Sequence, residues 1–163
     1  MARVSSLERT AGGFLLAALD PSMRGNPDTG RSLRAGRPDR GRPGDFRFFI
    51  DPATLFVDEK GVVRYVLVAR SRSGVENVSY EALRCEAAQH RVYALGRPDG
   101  TWSRSRTDWR PLEPGTRQLE LYADYFCPQK VPIHNAAEGV SALQDGGHPF
   151  AKGFGGDWSK DRR

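Results

Sequence analysis

The sequence predicts an α+β fold, in which an antiparallel meander of about four to six strands is followed by one or two helices that pack on it. Hydrophobic residues recur with a period of two between residues 46 and 104, and Gly, Pro, Asp and Ser mark the turns. After Trp109 the hydrophobic period becomes helical. Strands that come first and helices that come last favour an α+β arrangement over a parallel sheet.

The first strands begin near Phe46. The stretch "FRFFIDPATLFV" is rich in aromatic and β-branched residues, and Pro52 within it predicts a break, a bulge or an edge position. A turn at 58–61 leads into "VVRYVLVAR", where the odd-numbered residues from Val63 to Ala69 form one apolar face. The other face mixes valines with arginines, so this strand is predicted to lie in the middle of the sheet.

The next segments, residues 77–102, also alternate. In "ENVSYEALRC", Val78, Tyr80 and Ala82 alternate with polar residues, which favours a strand. The run from Glu81 to Leu83 favours a helix, which is the competing interpretation. "HRVYALGR" and "TWSRSR" are predicted to be strands joined by the tight turn "RPDGT". The segment is therefore predicted to form successive strands of the meander.

The first helix is predicted in "TRQLELYADYFC". Leu119, Tyr122 and Phe126 stand at helical spacing, which indicates an amphipathic helix of roughly three turns. A strand that enters a short helix is the alternative.

The second helix is predicted in "NAAEGVSALQDGG". Asn135 is the expected N-cap, Glu138 completes a pattern like a capping box, and Gly146 ends the helix. The expected apolar face consists of Ala137, Val140 and Leu143.

Composition divides the chain into three parts. Residues 1–45 are rich in Arg, Gly and Pro, especially over 21–44, and are predicted to be disordered or aberrant because they offer little apolar surface to bury. Residues 46–146 are predicted to form a single α+β domain, and residues 147–163 a flexible Gly-rich tail. An Arg/Gly-rich nucleic-acid tail is the alternative for the first part, but it lacks repeats and interleaved aromatic residues.

The net charge of +5 is unevenly distributed. Residues 1–45 carry eight Arg and five acidic residues, and residues 151–163 carry four basic and two acidic residues. Residues 46–150 carry thirteen of each sign, so the predicted domain has no net charge to attract phosphates. We predict no specific nucleic-acid partner.

The apolar stretch "AGGFLLAAL", residues 11–19, has about the length of a signal-peptide core. Glu8 precedes it and Asp20 follows at once, so a short helix or non-native sequence is the better interpretation. No stretch of the sequence approaches the roughly 20 apolar residues of a transmembrane segment.

Cys85 and Cys127 are the strongest chemical signal. Each lies at the end of a predicted element, and a disulfide between them is predicted to tie the helical region to the sheet. A free buried pair is one alternative. A metal site with His90 and His134 is the other, but the spacing matches no zinc pattern. We predict no metal and no cofactor.

No catalytic motif is present in the sequence, which lacks GxSxG, HExxH, a P-loop and GxGxxG. We predict no catalytic residue. Trp102 and Trp109 are the candidate binding surface, and Trp109, in the break "TDWRP", is the better candidate for exposure.

Several segments in order, among them "FFIDPATLFV", "DYFCP" and "AAEGVSAL", resemble the cryptic neisserial protein-like family. Its members are small, uncharacterised proteins of Gram-negative, mainly betaproteobacterial, bacteria, and an export signal usually precedes the domain. The resemblance covers about residues 46–143. It implies a single domain with no established reaction. No functional residue is carried over from the family, and the motif positions that match are Cys85 and Cys127.

From this resemblance and the predicted disulfide we expect a non-catalytic accessory domain of the cell envelope, periplasmic or lipoprotein-like. Its partner is expected to be an unknown envelope protein or a glycan. A glycan- or peptide-binding module with exposed aromatic residues is the first alternative, and an enzyme of unrecognised type is the second. The resemblance implies the periplasm, whereas the chain as written is expected to remain in the cytoplasm, because it shows no convincing signal peptide.

Overall fold

A computed structural model of the chain describes residues 9–10, 13–14, 33–35, 46–99 and 101–151, the first three of these ranges in their backbone only. Within them, an antiparallel sheet of eight strands lies against two C-terminal helices. The predicted α+β class is therefore confirmed. Arg9–Thr10 and Gly13–Phe14 form a separate antiparallel pair.

Four of the strands are five or more residues long, and four are shorter. In chain order they are β1 (Leu33–Ala35), β2 (Phe46–Ile50), β3 (Phe56–Val57), β4 (Val62–Ser71), β5 (Glu76–Arg84), β6 (Gln89–Gly96), β7 (Trp102–Arg104) and β8 (Arg110–Pro111). Across the sheet the order is β8–β6–β5–β4–β2–β1, while β3 also pairs with β4, and β7 with β6. The strand interpretation of residues 76–84 is confirmed over the helical one.

The predicted break at Pro52 is a short 3-10 turn, Pro52–Thr54, between β2 and β3. The Asp51 carboxylate accepts a hydrogen bond from the Ala53 N–H at 3.0 Å. The Thr54 hydroxyl donates to the Asp51 carbonyl and accepts from the Val66 N–H at 2.9 Å. The turn is therefore fastened to the central strand β4.

The first helix, α1 (Arg117–Glu120), begins at the N-cap Thr116 and continues directly into a π-helical turn, Leu121–Phe126. The buried side chains of this turn face the sheet, and they are Leu121, Tyr122, Tyr125 and Phe126. The helix predicted at this position is confirmed.

The second helix, α2 (Ala136–Gln144), begins at the predicted N-cap Asn135, whose side chain accepts from the Glu138 N–H at 3.0 Å. Its buried face agrees with the expected one in part. Leu143 is buried and Val140 packs against the core, whereas Ala137 is exposed, and Gly139 and Ala142 are buried as well. The helix turns this way because Gly139, which has no side chain, allows a close approach of neighbouring apolar groups.

The sheet is buried on both faces, and each face has its own hydrophobic cluster. The cluster under the helices combines strand residues such as Val63, Tyr65 and Leu83 with the buried residues of α2 and of the π-helical turn. The opposite cluster consists of strand residues only, and they are Val66, Val68, Val78, Tyr80 and Ala94, with Phe49, Tyr93 and Trp102 packed against them. The middle position predicted for β4 is confirmed.

The ends of the chain are described only in part. Most of residues 1–45 lie outside the described residues, so their disorder stays a prediction, although the backbone of β1 pairs with β2. The predicted tail begins at residue 147, yet Gly147 and His148 are buried against the domain. No helix among the described residues is long and apolar enough to cross a membrane.

Candidate functional site

The two cysteines form a disulfide that joins the end of the sheet to the end of the first helical region. Cys85 follows β5, Cys127 follows the π-helical turn, and their Cα atoms lie 5.2 Å apart. Both residues are buried. The Tyr122 hydroxyl donates a hydrogen bond to the Cys85 carbonyl at 2.8 Å. The bridge is therefore built into the core between sheet and helices.

The alternative metal site of Cys85 and Cys127 with His90 and His134 is not formed, because the two cysteines are bonded to each other. His134 is exposed and hydrogen bonds to Glu138. The residues that the structure describes include no group of three or more His, Cys, Asp or Glu side chains arranged to hold a metal ion.

Glu81 is a buried carboxylate that the sequence analysis did not single out. The register between β5 and β6 shifts between Tyr80 and Glu81, which marks a β-bulge. The carboxylate accepts hydrogen bonds from the Ser79 hydroxyl at 2.7 Å, from the Tyr65 hydroxyl at 3.3 Å and from the Gln118 amide at 3.1 and 3.2 Å. It therefore links β4 and β5 to α1 beneath the helices.

Burial is the main cause that raises the pKa of Glu81, although hydrogen bonds from Ser79 and Gln118 act to lower it. Burial, and then the nearby Glu81 carboxylate, raise the pKa of Tyr65 well above its ordinary value. The Glu81 side chain is satisfied by its neighbours and only 3% exposed, so a substrate has no access to it in this state. We regard it as a structural carboxylate.

Glu138 contacts two histidines, of which His148 belongs to the C-terminal segment. Its carboxylate lies 2.7 Å from His134 Nδ1 and 2.7 Å from His148 Nε2, and it also accepts from the His134 N–H. Burial acts to raise the pKa of Glu138, but these hydrogen bonds outweigh it, and the pKa is lowered. His148 Nδ1 accepts from the Phe150 N–H at 3.2 Å, so both of its ring nitrogens have partners. This cluster fixes the start of the predicted tail.

The face of the sheet opposite the helices carries a layer of arginines and aromatic rings. Arg84 lies 3.9 Å from the centre of the Trp109 ring. Arg64 and Arg91 lie 4.9 and 5.0 Å from the centre of the Tyr93 ring, which meets Trp109 edge-on at 6.3 Å. Cation–π contacts of this kind hold guanidinium groups in place.

Arg104 belongs to the same face, because it lies directly opposite Ala94, a member of the strand-only cluster. We refer to Arg64, Arg84, Arg91, Tyr93, Arg104 and Trp109 as the arginine–aromatic face.

The two predicted binding residues, Trp102 and Trp109, both lie on this side of the sheet, and both are half-buried. Trp102 packs on the cluster beneath, and its ring nitrogen is buried without a hydrogen-bond partner in the described part of the chain. Trp109 has Arg84 over its ring. The structure thus places an arginine over the ring of Trp109, the residue whose sequence context makes it the better candidate for exposure.

The zero net charge of residues 46–150 conceals a separation of charge. Residues 46–111, which contain β2 to β8, carry eleven basic and eight acidic residues, whereas residues 112–150, which contain the helices, carry two basic and five acidic residues. The strand half is therefore +3 and the helical half −3. A sequence signal for this was present, because Arg64 and Arg70 share one side of the alternation in β4.

A family model, described as the CNP1-like family, matches residues 37–144. That range includes the disulfide, both helices and every labelled strand except β1. It begins nine residues before the start of the resemblance noted from the sequence motifs. None of the curated proteins and none of the solved structures with which the chain was compared matches it.

Proposed function

The chain belongs to the CNP1-like family, and we propose that its domain is a non-catalytic accessory domain of the cell envelope, periplasmic or lipoprotein-like. The same proposal identifies this family with the cryptic neisserial protein-like proteins that the motifs resemble. The domain acts through contacts with an envelope protein or a glycan.

The buried Cys85–Cys127 disulfide is the observation that carries this proposal. Disulfides persist in oxidising compartments such as the periplasm, and thiol-reducing systems keep cytosolic cysteines reduced. A bridge that joins a central strand to the helical region contributes to the stability of the whole domain, so the domain is suited to the compartment in which the bridge forms.

Export tests the proposal. We expect that a cleavable leader fused ahead of residue 31 directs the domain to the periplasm of a Gram-negative host, where alkylation before and after reduction shows two masked thiols. The same protein without the fused leader, expressed in the cytoplasm, is expected to show two free thiols and lower stability. If the exported form is degraded while the leaderless form is equally stable under reducing conditions, a cytoplasmic role is the better proposal.

A binding module is the second candidate function, and the arginine–aromatic face favours it. Aromatic rings and fixed guanidinium groups on one side of a sheet offer side-chain contacts to a glycan or a peptide. Binding to isolated peptidoglycan or lipopolysaccharide that is lost in Trp109→Leu, and retained in the helix-side variant Lys130→Gln, supports this candidate. Equal binding by both variants contradicts it.

A further inference from the structure

We propose that the arginine–aromatic face binds an anionic polysaccharide, a linear chain of sugars that carry carboxylate groups. This inference rests on the binding-module function proposed above and specifies its ligand. It starts from the distribution of charge on the face.

The face carries more positive charge than its carboxylates neutralise. Arg64 and Arg91 have carboxylate partners, Asp58 at 3.1 Å and Asp108 at 4.0 Å. Arg84 and Arg104 are exposed, and neither has a carboxylate within 4.0 Å among the described residues. A ligand that supplies carboxylates therefore finds two guanidinium groups without a competing anion.

Arg84 is also held in position. Its guanidinium lies 3.9 Å from the centre of the Trp109 ring, and Trp109 is itself fixed by the edge-on contact with Tyr93. A guanidinium that packs against a ring retains N–H donors at its edge, in the planar arrangement that matches a carboxylate. Because the side chain is ordered before binding, less conformational entropy is lost when the ligand binds.

The position of the face in the sheet favours a glycan over a peptide. An extended peptide is recognised at a sheet edge, where backbone groups are free to pair. Here the backbones beneath four of the six residues of the face belong to β4, β5 and β6, and each of these strands is paired on both sides. Arg104 lies on β7, which pairs with β6 alone among the described strands. Most of the face therefore offers side chains rather than free backbone groups, which suits a ligand that is recognised through its carboxylates and its hydroxyls.

The aromatic residues also argue against single-stranded nucleic acid. Such ligands stack their bases on open aromatic rings. The Trp109 ring is occupied by Arg84, and Tyr93 lies between Trp109, Tyr80 and two guanidinium groups. The half-buried rings are therefore left with limited surface on which bases could stack.

The distance between the two arginines without carboxylate partners sets the minimum length of a ligand that contacts both. Arg84 lies opposite Gln89 and Arg104 opposite Ala94, so they are five residues apart along β6 and on either side of it. At about 3.3 Å per residue and 4.8 Å per strand, their Cα atoms are separated by roughly 19 Å. An oligosaccharide of several units spans this distance, whereas a monosaccharide contacts one arginine at a time.

The experiment is a titration of the oxidised full-length protein with hexagalacturonate, measured by calorimetry at low and at physiological salt. The matched ligand is the same hexamer with every carboxylate methyl-esterified. We expect the acid form to bind, its affinity to fall with added salt, and the ester to bind at least about tenfold more weakly. Affinity for the acid form that equals affinity for the ester overturns the assignment of an anionic ligand while the binding-module function stands.

The variants place the ligand on this face. We expect Arg84→Gln combined with Arg104→Gln to lower the affinity at least about tenfold, whereas Lys130→Gln, which removes one positive charge on the helix side, alters it by less than about twofold. The charge-preserving pair Arg84→Lys and Arg104→Lys is expected to bind with intermediate affinity. Affinities are compared only among variants whose thermal midpoint equals that of the parent. If the double Gln variant does not fold, Arg84→Lys alone is tested for reduced affinity.

Three further results overturn the inference. Tighter binding of hexaglutamate identifies the ligand as an acidic peptide, and tighter binding of a single-stranded oligonucleotide identifies it as nucleic acid. If hexagalacturonate does not bind, a carboxylated glycan is excluded as the ligand. Each of these results is independent of the export experiment, so a failure here is distinguishable from a failure of the envelope proposal.

Discussion

Glu81 is held almost entirely out of water between the Tyr65 hydroxyl and the Gln118 amide. Burial raises its pKa above the ordinary value of 4.5. Between the unfolded and the folded pKa, the folded protein therefore binds more protons than the unfolded chain does. Its contribution to stability is complete below pH 4.5 and is lost as the pH rises through the folded pKa.

We predict that Glu81→Gln removes this part of the pH dependence. The amide has nearly the shape of the protonated acid and does not ionise, so the free energy of unfolding should fall less steeply above pH 4.5 than in the parent. Denaturant unfolding at a series of pH values measures the slope. Glu86→Gln, a change at an exposed position after the same strand, is the control and should leave the slope unchanged. An identical slope in Glu81→Gln and the parent contradicts the prediction.

At Gly139 the packing of the core opposes the usual preference of a helix for Ala over Gly. A Cβ at this position meets Leu55 Cδ2 at 2.6 Å and Ile133 Cδ1 at 2.7 Å. Replacing Gly by Ala in a helix normally stabilises by up to about 1 kcal/mol, whereas overpacking a core costs about 1–3 kcal/mol.

We therefore predict that Gly139→Ala lowers the free energy of unfolding by about 1–2 kcal/mol. Thermal and denaturant unfolding measure the change. Ser141→Ala, at an exposed position of the same helix, is the control and should be neutral or slightly stabilising. A more stable Gly139→Ala protein shows that the neighbouring side chains rearrange without cost.

At the scale of elements, the disulfide and the two helices form one unit with the sheet. Residues 85 and 127 are 42 positions apart, and closing a loop of this size stabilises by about 4 kcal/mol in the chain-entropy model. We predict that Cys85→Ala combined with Cys127→Ala lowers the free energy of unfolding by up to this amount. Comparing the double variant with the oxidised and the reduced parent tests this, because the reduced parent should resemble the variant. Equal stability of all three contradicts the prediction.

The strands and helices are the part of the fold that the sequence predicts best. The alternation in β4 and β5 and the N-cap Asn135 are patterns among residues that are close in the sequence. They can therefore be recognised without knowing how the elements pack. The exposure of Ala137 was not predicted, because it depends on how Leu55 and Ile133 approach the helix at Gly139. That contact joins residues far apart in the sequence.

The candidate site was predicted less well, for a related reason. Ser79 and Glu81 were interpreted as the polar side of a strand, whereas α1 covers that side and buries Glu81. Trp109 was expected to be exposed, but Arg84 from a different strand lies over it. Both outcomes depend on which elements pack on which face, and periodicity alone does not specify this.

At the scale of the whole molecule, positive and negative charges lie in different parts of the domain. The strand half carries the excess of arginine and the helical half the excess of acid. A summed charge of zero therefore does not describe how the domain meets a charged partner, since a partner approaches one side at a time. Screening by salt reduces this polarity at distances beyond about 8–10 Å.

The Cys85–Cys127 bond makes the intervening chain a covalent ring that contains β6, β7 and β8. A single nick inside the ring, for example after the exposed Arg106, produces two fragments that stay joined through sulfur. Such a protein migrates as one species on a non-reducing gel and separates into two only when thiol is added. A domain with this topology tolerates a protease that opens its outer strands, because the severed end of the sheet remains tethered within reach of its partner strands and can pair again.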